Sequence, residues 1–148
     1  MISVQQQDFN FSDEYHKLMQ NNTTDGAVVC FVGLVRDFNQ GNRVESLLIE
    51  HYPAMTEKAL SEIVLTAKKK WSLGKVKVIH RFGELALGEQ IVFVGVTSQH
   101  RESAFEANQF IMDYLKNRAP FWKKELTSHG ERWVDAEAKD KQAELKWE

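Results

Sequence analysis

The segment KVKVIHRFGELALGEQIVFVGVTS, Lys75–Ser98, decides the fold. Lys75–Phe82 and the strongly apolar Ile91–Ser98 both read as strands, and Gly83–Gln90 between them as a turn region. The connection is too short to hold a crossover helix, so the two strands are expected to be antiparallel neighbours. That favours an α+β fold over a doubly wound parallel sheet.

On the C-terminal side follows HRESAFEANQFIMDYLKNRAPFWKKE, His100–Glu125. Phe105, Ile111, Met112 and Leu115 define the buried side of an amphipathic helix. Pro120 cannot continue a helix and restricts Ala119, so the helix is expected to end near Asn117 or Arg118. Phe121, Trp122, Trp133 and Val134 suggest further packed, partly extended structure. The tail Ala136–Glu148 is charged, with Leu145 and Trp147 as its large apolar anchors. It is expected either as a helix or as a segment ordered by a partner.

On the N-terminal side, Ser12 with Asp13 and Glu14 reads as the cap and acidic first turn of a helix to about Gln20. Asn21–Gly26 is turn-like, and Ala27–Val35 is a strand rich in β-branched residues. Arg36–Arg43 is polar and contains Gly41, so it is expected as a loop before the strand Val44–His51. Pro53 suits the first turn of a helix. Met55, Ala59, Leu60, Ile63, Val64, Ala67 and Trp71 then recur at helical spacing up to Gly74. Lys68, Lys69 and Lys70 read as a solvated last turn that complements the helix dipole.

The chain has 148 residues, 43% of them hydrophobic, which is the size of one domain over 1–148 with its own core. The net charge of −2 gives no global field toward nucleic acid or an anionic membrane, so an anion site must be a local cluster. No apolar run approaches the ~20 residues of a bilayer span. MISVQQQDFNF has neither the basic start nor the apolar core of a signal peptide, and a cytoplasmic location is the default expectation. Cys30 is the sole cysteine, within AVVCFVGLV, and reads as an inert buried thiol. The histidines show no metal-ligand spacing, and neither a metal nor a cofactor is expected. GxGxxG, GxxxxGK[ST] and GxSxG motifs are absent.

The candidate chemistry gathers around the helix after Ser98. His100-Arg101 open it, where free backbone N–H groups and the dipole favour an anion, and Arg101 adds a planar fork. A plain surface pair is the bland reading. Lys116 and Lys123 are seven residues apart with Pro120 between them. A turn-back there would bring the two amines together, and paired ammonium groups in a dry pocket depress each other's pKa. Two unrelated surface lysines would have the same spacing. Arg36 sits where a strand meets a loop, with Arg43 at the loop's other end. Glu125 could orient Lys123 or Lys124, while an exposed i, i+2 charge pattern is the plainer reading.

Four segments carry a resemblance. They are DGAVVCFVGLVRDFN, LLIEHYPAMTEKAL, VIHRFGELALGEQIVFVGVTSQHRESAFEA and FIMDYLKNRAPFWKKE, together covering most of Asp25–Glu125. In these the chain closely resembles the MoaE family, the large, catalytic subunits of molybdopterin synthase. The resemblance implies an α/β hammerhead with an additional β-rich subdomain. It implies a sulfurtransferase that converts cyclic pyranopterin monophosphate to molybdopterin. The two sulfurs come from the C-terminal thiocarboxylate of a small ubiquitin-like subunit. A heterotetramer built on a dimer of large subunits goes with it. Matching positions imply Lys116 and Lys123 as catalytic, and Leu34, Val35, Arg36, His100, Arg101, Lys124 and Glu125 as substrate-binding. After Trp133-Val-Asp-Ala136, where some relatives carry an arginine, this chain has Glu137; Arg132 or Lys139 are the substitutes at hand. Two other classes stay open on sequence: a non-catalytic module that binds the pterin phosphate or the small subunit, and an RNA binder.

Overall fold

The computed structural model describes residues 1–39, 42–134 and 138–148. Two mostly antiparallel sheets and their helices form an α+β architecture. In chain order the elements are β1 (Ile2–Gln5), α1 (Phe11–Met19), β2 (Ala27–Leu34), β3 (Phe38–Asn39), β4 (Asn42–His51), α2 (Pro53–Lys70) and β5 (Leu73–Arg81). Then follow β6 (Gly83–Ala86), β7 (Gln90–Ser98), α3 (Arg101–Arg118), β8 (Phe121–Thr127), β9 (Gly130–Val134) and α4 (Ala138–Leu145).

The first sheet has the order β1-β5-β7-β2. β5 and β7 pair antiparallel, as the short connection dictates, with Val78 opposite Val94. β1 adds a parallel edge, Ile2 opposite Val78. The sequence reading gave no strand there: four residues are too few to show a period. β7 is buried from Val92 to Ser98, and α2 and α3 cover the sheet with Leu60, Ile63, Val64, Phe110 and Ile111. Asn108 fixes α3 in place, its Nδ2 donating to Val29 O at 3.0 Å and Val94 O at 2.9 Å. Phe105, expected on the buried side, is exposed, because Ala104, Ala107 and Ile111 take the sheet-facing stripe. Met55 is likewise exposed at the start of α2.

The second sheet has the order β3-β4-β8-β9, with β6 on the other side of β4. The segment expected as a loop at 36–43 contains the short strand β3, paired with the start of β4. The region expected as a turn contributes β6, paired with Ser46–Ile49. α1 begins one residue before Ser12, and its cap is Asn10, whose side chain accepts from the Asp13 N–H at 3.0 Å. Cys30 is half-buried, because β2 is an edge strand; burial pushes its thiol up, which suits an inert role.

α4 packs on α3 within the same chain. Asn117 Nδ2 donates to Asp140 O at 2.7 Å, Arg118 pairs with Glu144, and the Trp147 indole donates to Asp113 Oδ2 at 2.7 Å. Trp147 also meets Trp71 and Phe110 edge to face. No helix among the described residues is long and apolar enough to cross a membrane.

Candidate active site

Where α3 ends, the two sheets part around a cavity of about 300 Å³. Arg36, His80, Lys116, Asn117, Lys123, Glu125 and Asp140 are its polar lining, and Leu34, Val35, Leu47, Ile91, Leu115 and Phe121 are among its apolar walls.

Each side chain arrives for a local reason. α3 stops at Arg118, and the Phe121 N–H donates to Ala119 O at 2.8 Å across Pro120. This tight three-residue turn sends β8 back beneath the helix end. Lys116, in the last helical turn, and Lys123, in β8, thereby face one cavity. Strand alternation does the rest. Phe121, Lys123 and Glu125 point inward, while Trp122 is exposed against Tyr52. Lys124 also points outward, 4.5 Å from the Trp133 ring and 3.4 Å from Glu131. On the paired strand a register shift between Val44 and Ser46 puts both Val44 and Leu47 on the cavity side, the effect of a β-bulge.

Arg36 is delivered by a second turn. The Val35 N–H donates to Glu89 O at 3.0 Å, and the Gly88 N–H donates to Val35 O at 2.9 Å. Gly88 has φ +82, a conformation glycine adopts without a Cβ clash. Val35 is thus pinned and buried, and Arg36 leaves it exposed at the cavity rim.

The electrostatics single out Lys123. Burial comes first and the Lys116 ammonium second in holding its amine down to about 8, against the opposing pull of Asp140. Glu125 is buried and takes Arg132, with Oε1 at 2.8 Å from Nη2 and 3.0 Å from Nε. That pairing neutralises the carboxylate beneath Lys123. It also commits Arg132, one of the substitutes for the missing arginine. Glu137 and the Lys139 side chain lie outside the described residues.

Of the residues singled out from sequence, Leu34, Val35, Arg36, Lys116, Lys123 and Glu125 meet in the cavity. Lys124 faces away. His100 and Arg101 stand at the opposite end of α3, about 22 Å from Lys116 along a helix of this length, and do not line the cavity. His80 is the wall residue that sequence reasoning passed over, because it looked only for metal spacing. It is 1% exposed, stacks on Phe121 with ring centroids 3.7 Å apart, and donates from Nδ1 to Arg81 O at 2.8 Å. A histidine inside a buried strand run was the available signal. Among the described residues, no group of three or more His, Cys, Asp or Glu could hold a metal ion.

Comparison with known proteins places this geometry. The model of the family described as MoaE protein matches residues 4–118. The molybdopterin synthase catalytic subunit of Escherichia coli K12 is 59% identical over 146 residues, covering 99% of this chain and 97% of the relative. Among solved structures, the molybdopterin biosynthesis MoaE protein from Burkholderia ambifaria is 46% identical with a TM-score of 0.85, over 99% of this chain and 97% of that one. A chain from the complex of subunits 1 and 2 of molybdopterin-converting factor from Helicobacter pylori shares the fold, with a TM-score of 0.72 at 21% identity over 90% of each chain. By sequence over nearly its whole length and by the shape that carries its cavity, the chain belongs to the MoaE family, an enzyme family whose matched relatives bear the name molybdopterin synthase catalytic subunit.

Proposed function

We propose that the cavity converts cyclic pyranopterin monophosphate to molybdopterin with sulfur brought in by a second, small subunit. The observation that carries this reading is the meeting of Arg36, Lys116 and Lys123 in one cavity. A planar cation fork and two amines suit a phosphate-bearing substrate and an anionic thiocarboxylate. The chain's own cysteine sits in β2 with its thiol pushed up, so it is poorly suited to carry sulfur. The names of the relatives, catalytic subunits, fit an enzyme that works with another chain. A cytoplasmic setting goes with that reading.

In each of two rounds, the thiocarboxylate sulfur bonds to a substrate carbon as a carbon–oxygen bond there breaks, the oxygen departing with the opened cyclic phosphate in one round and as water in the other. Water's oxygen then takes the sulfur's place on the partner's carbonyl, which leaves as a carboxylate. Lys123, held near 8, supplies a neutral amine for proton transfer or transient capture. Lys116 keeps that amine depressed and offsets negative charge on the substrate or the thiocarboxylate.

His100 and Arg101 cannot reach the cavity of their own chain. If they hold substrate phosphate, they do so in the cavity of a second copy. Mixing the chain with a thiocarboxylated small subunit and cyclic pyranopterin monophosphate should give dithiolene product by mass spectrometry. Lys116→Ala and Lys123→Ala should each abolish product while still binding the small subunit. Reassorted mixtures of Lys123→Ala and Arg101→Ala chains should regain roughly a quarter of native turnover, since half the dimers then hold one intact site. Product from Lys123→Ala alone would refute the site. A lack of recovery in the mixture would refute the exchange between copies.

A further inference from the structure

Arg36, Lys116 and Lys123 reach the cavity, and in their charged forms they only donate hydrogen bonds. They serve an anion. They do nothing for the N–H and O–H groups of a pterin ring system, which need acceptors. Of the other acceptors in the lining, Glu125 is held by Arg132, while Asp140 and Asn117, whose Oδ1 has no partner, stand on the α3–α4 side.

On the β5 side of the cavity the acceptor is His80. Its ring is clamped between the backbone and Phe121, with Nδ1 2.8 Å from Arg81 O and the rings 17° from parallel. A carbonyl only accepts, so Nδ1 carries the proton. In the neutral ring Nε2 then has a lone pair and no hydrogen. Nε2 accepts no hydrogen bond among the described residues, although the side chain is 1% exposed and lines the cavity. The groups around it keep the ring uncharged. Burial, then Lys123, and after it Lys116 and His51, hold it to about 3, against the raising effect of the bond to Arg81. So weak a base does not take a proton from Lys123; it accepts a hydrogen bond.

We propose that His80 is a further substrate-binding residue, whose Nε2 accepts a hydrogen bond from an N–H or O–H of the bound pterin while Phe121 fixes the ring's plane. This rests on the substrate reading given above. The cations then select for phosphate, and His80 selects for the heterocycle.

Two substitutions separate this role from a structural one. In His80→Asn the side-chain amide can still donate to Arg81 O, but nothing stands at the Nε2 position. In His80→Gln the amide oxygen reaches that position as an acceptor. Both lose the stack on Phe121. The expected result is a KM for cyclic pyranopterin monophosphate raised about tenfold or more in His80→Asn, the loss of about one hydrogen bond. Small-subunit affinity should be unchanged, and His80→Gln should recover part of the loss. A native KM in His80→Asn, or a worse one in His80→Gln than in His80→Asn, overturns the proposal.

Should neither variant fold, the native chain decides. With ¹⁵N-labelled histidine, adding cyclic pyranopterin monophosphate should move the Nε2 resonance of His80 and leave Nδ1 protonated. An unmoved Nε2 signal in a chain that binds and converts the substrate overturns the role of His80 alone. A native chain with neither binding nor conversion overturns the substrate reading along with it.

Discussion

The two sheets use burial in opposite ways. β7, central in the first sheet, buries Val92, Phe93, Val94 and Val96 with no charge on either face. β8, central in the second, turns Lys123 and Glu125 inward beside Phe121. The first arrangement releases apolar surface from water and gains stability from it. The second strips water from charged groups and loses stability. The same backbone geometry thus supports a scaffold in one layer and a charged cavity wall in the other, and α3 joins them. Its middle packs on β7, and its end carries Lys116 over β8.

Three substitutions test how far that contrast goes. The largest change in stability should come from the scaffold. Phe110→Ala empties a site shared with Trp71, Tyr114 and Trp147. It should cost about 3–5 kcal/mol in urea denaturation, and a loss under 1 kcal/mol would show that the first layer is not the stabilising one.

On the charged wall the sign should reverse. Lys123→Met keeps the stem and removes the charge, so it should stabilise the chain by roughly 1–3 kcal/mol at neutral pH while ending product formation. The folded chain releases the Lys123 proton near 8, and the unfolded chain keeps it to about 10.5. Between those values the unfolded state binds more protons, so stability contributed at this position rises with pH. The advantage of Lys123→Met should therefore be full below pH 8 and fade toward pH 10.5. An advantage independent of pH would mean that packing, not charge, causes it.

The smallest effect should come from the outward face of the same strand. Lys124→Ala removes an ion pair with Glu131, an exposed partner, and a contact with the Trp133 ring. Stability should change by no more than about 0.5–1 kcal/mol and product formation not at all. A drop in turnover would put Lys124 back among the substrate-binding residues, where the family resemblance had placed it.

Much of this was legible before folding. The short Lys75–Ser98 connection settled an antiparallel pair, because no helix fits in it. Pro120 settled the end of α3, because its ring and missing N–H stop a helix. The segments shared with the MoaE family pointed to Arg36, Lys116 and Lys123, and those three do meet. What the chain alone did not reveal depends on direction and distance. Whether Lys123 or Lys124 faces the cavity is a question of strand phase, fixed only when β8 pairs with β4. The separation of His100 and Arg101 from Lys116 follows from the rigid length of α3, although all three mark one helix in sequence. His80 became visible as a wall residue only when Phe121 from the other sheet stacked on its ring. Local sequence determines which elements form, because helix stops, turns and periodicity act over a few residues. Tertiary structure decides which charges lose their water, because that requires surfaces from distant parts of the chain to close over them.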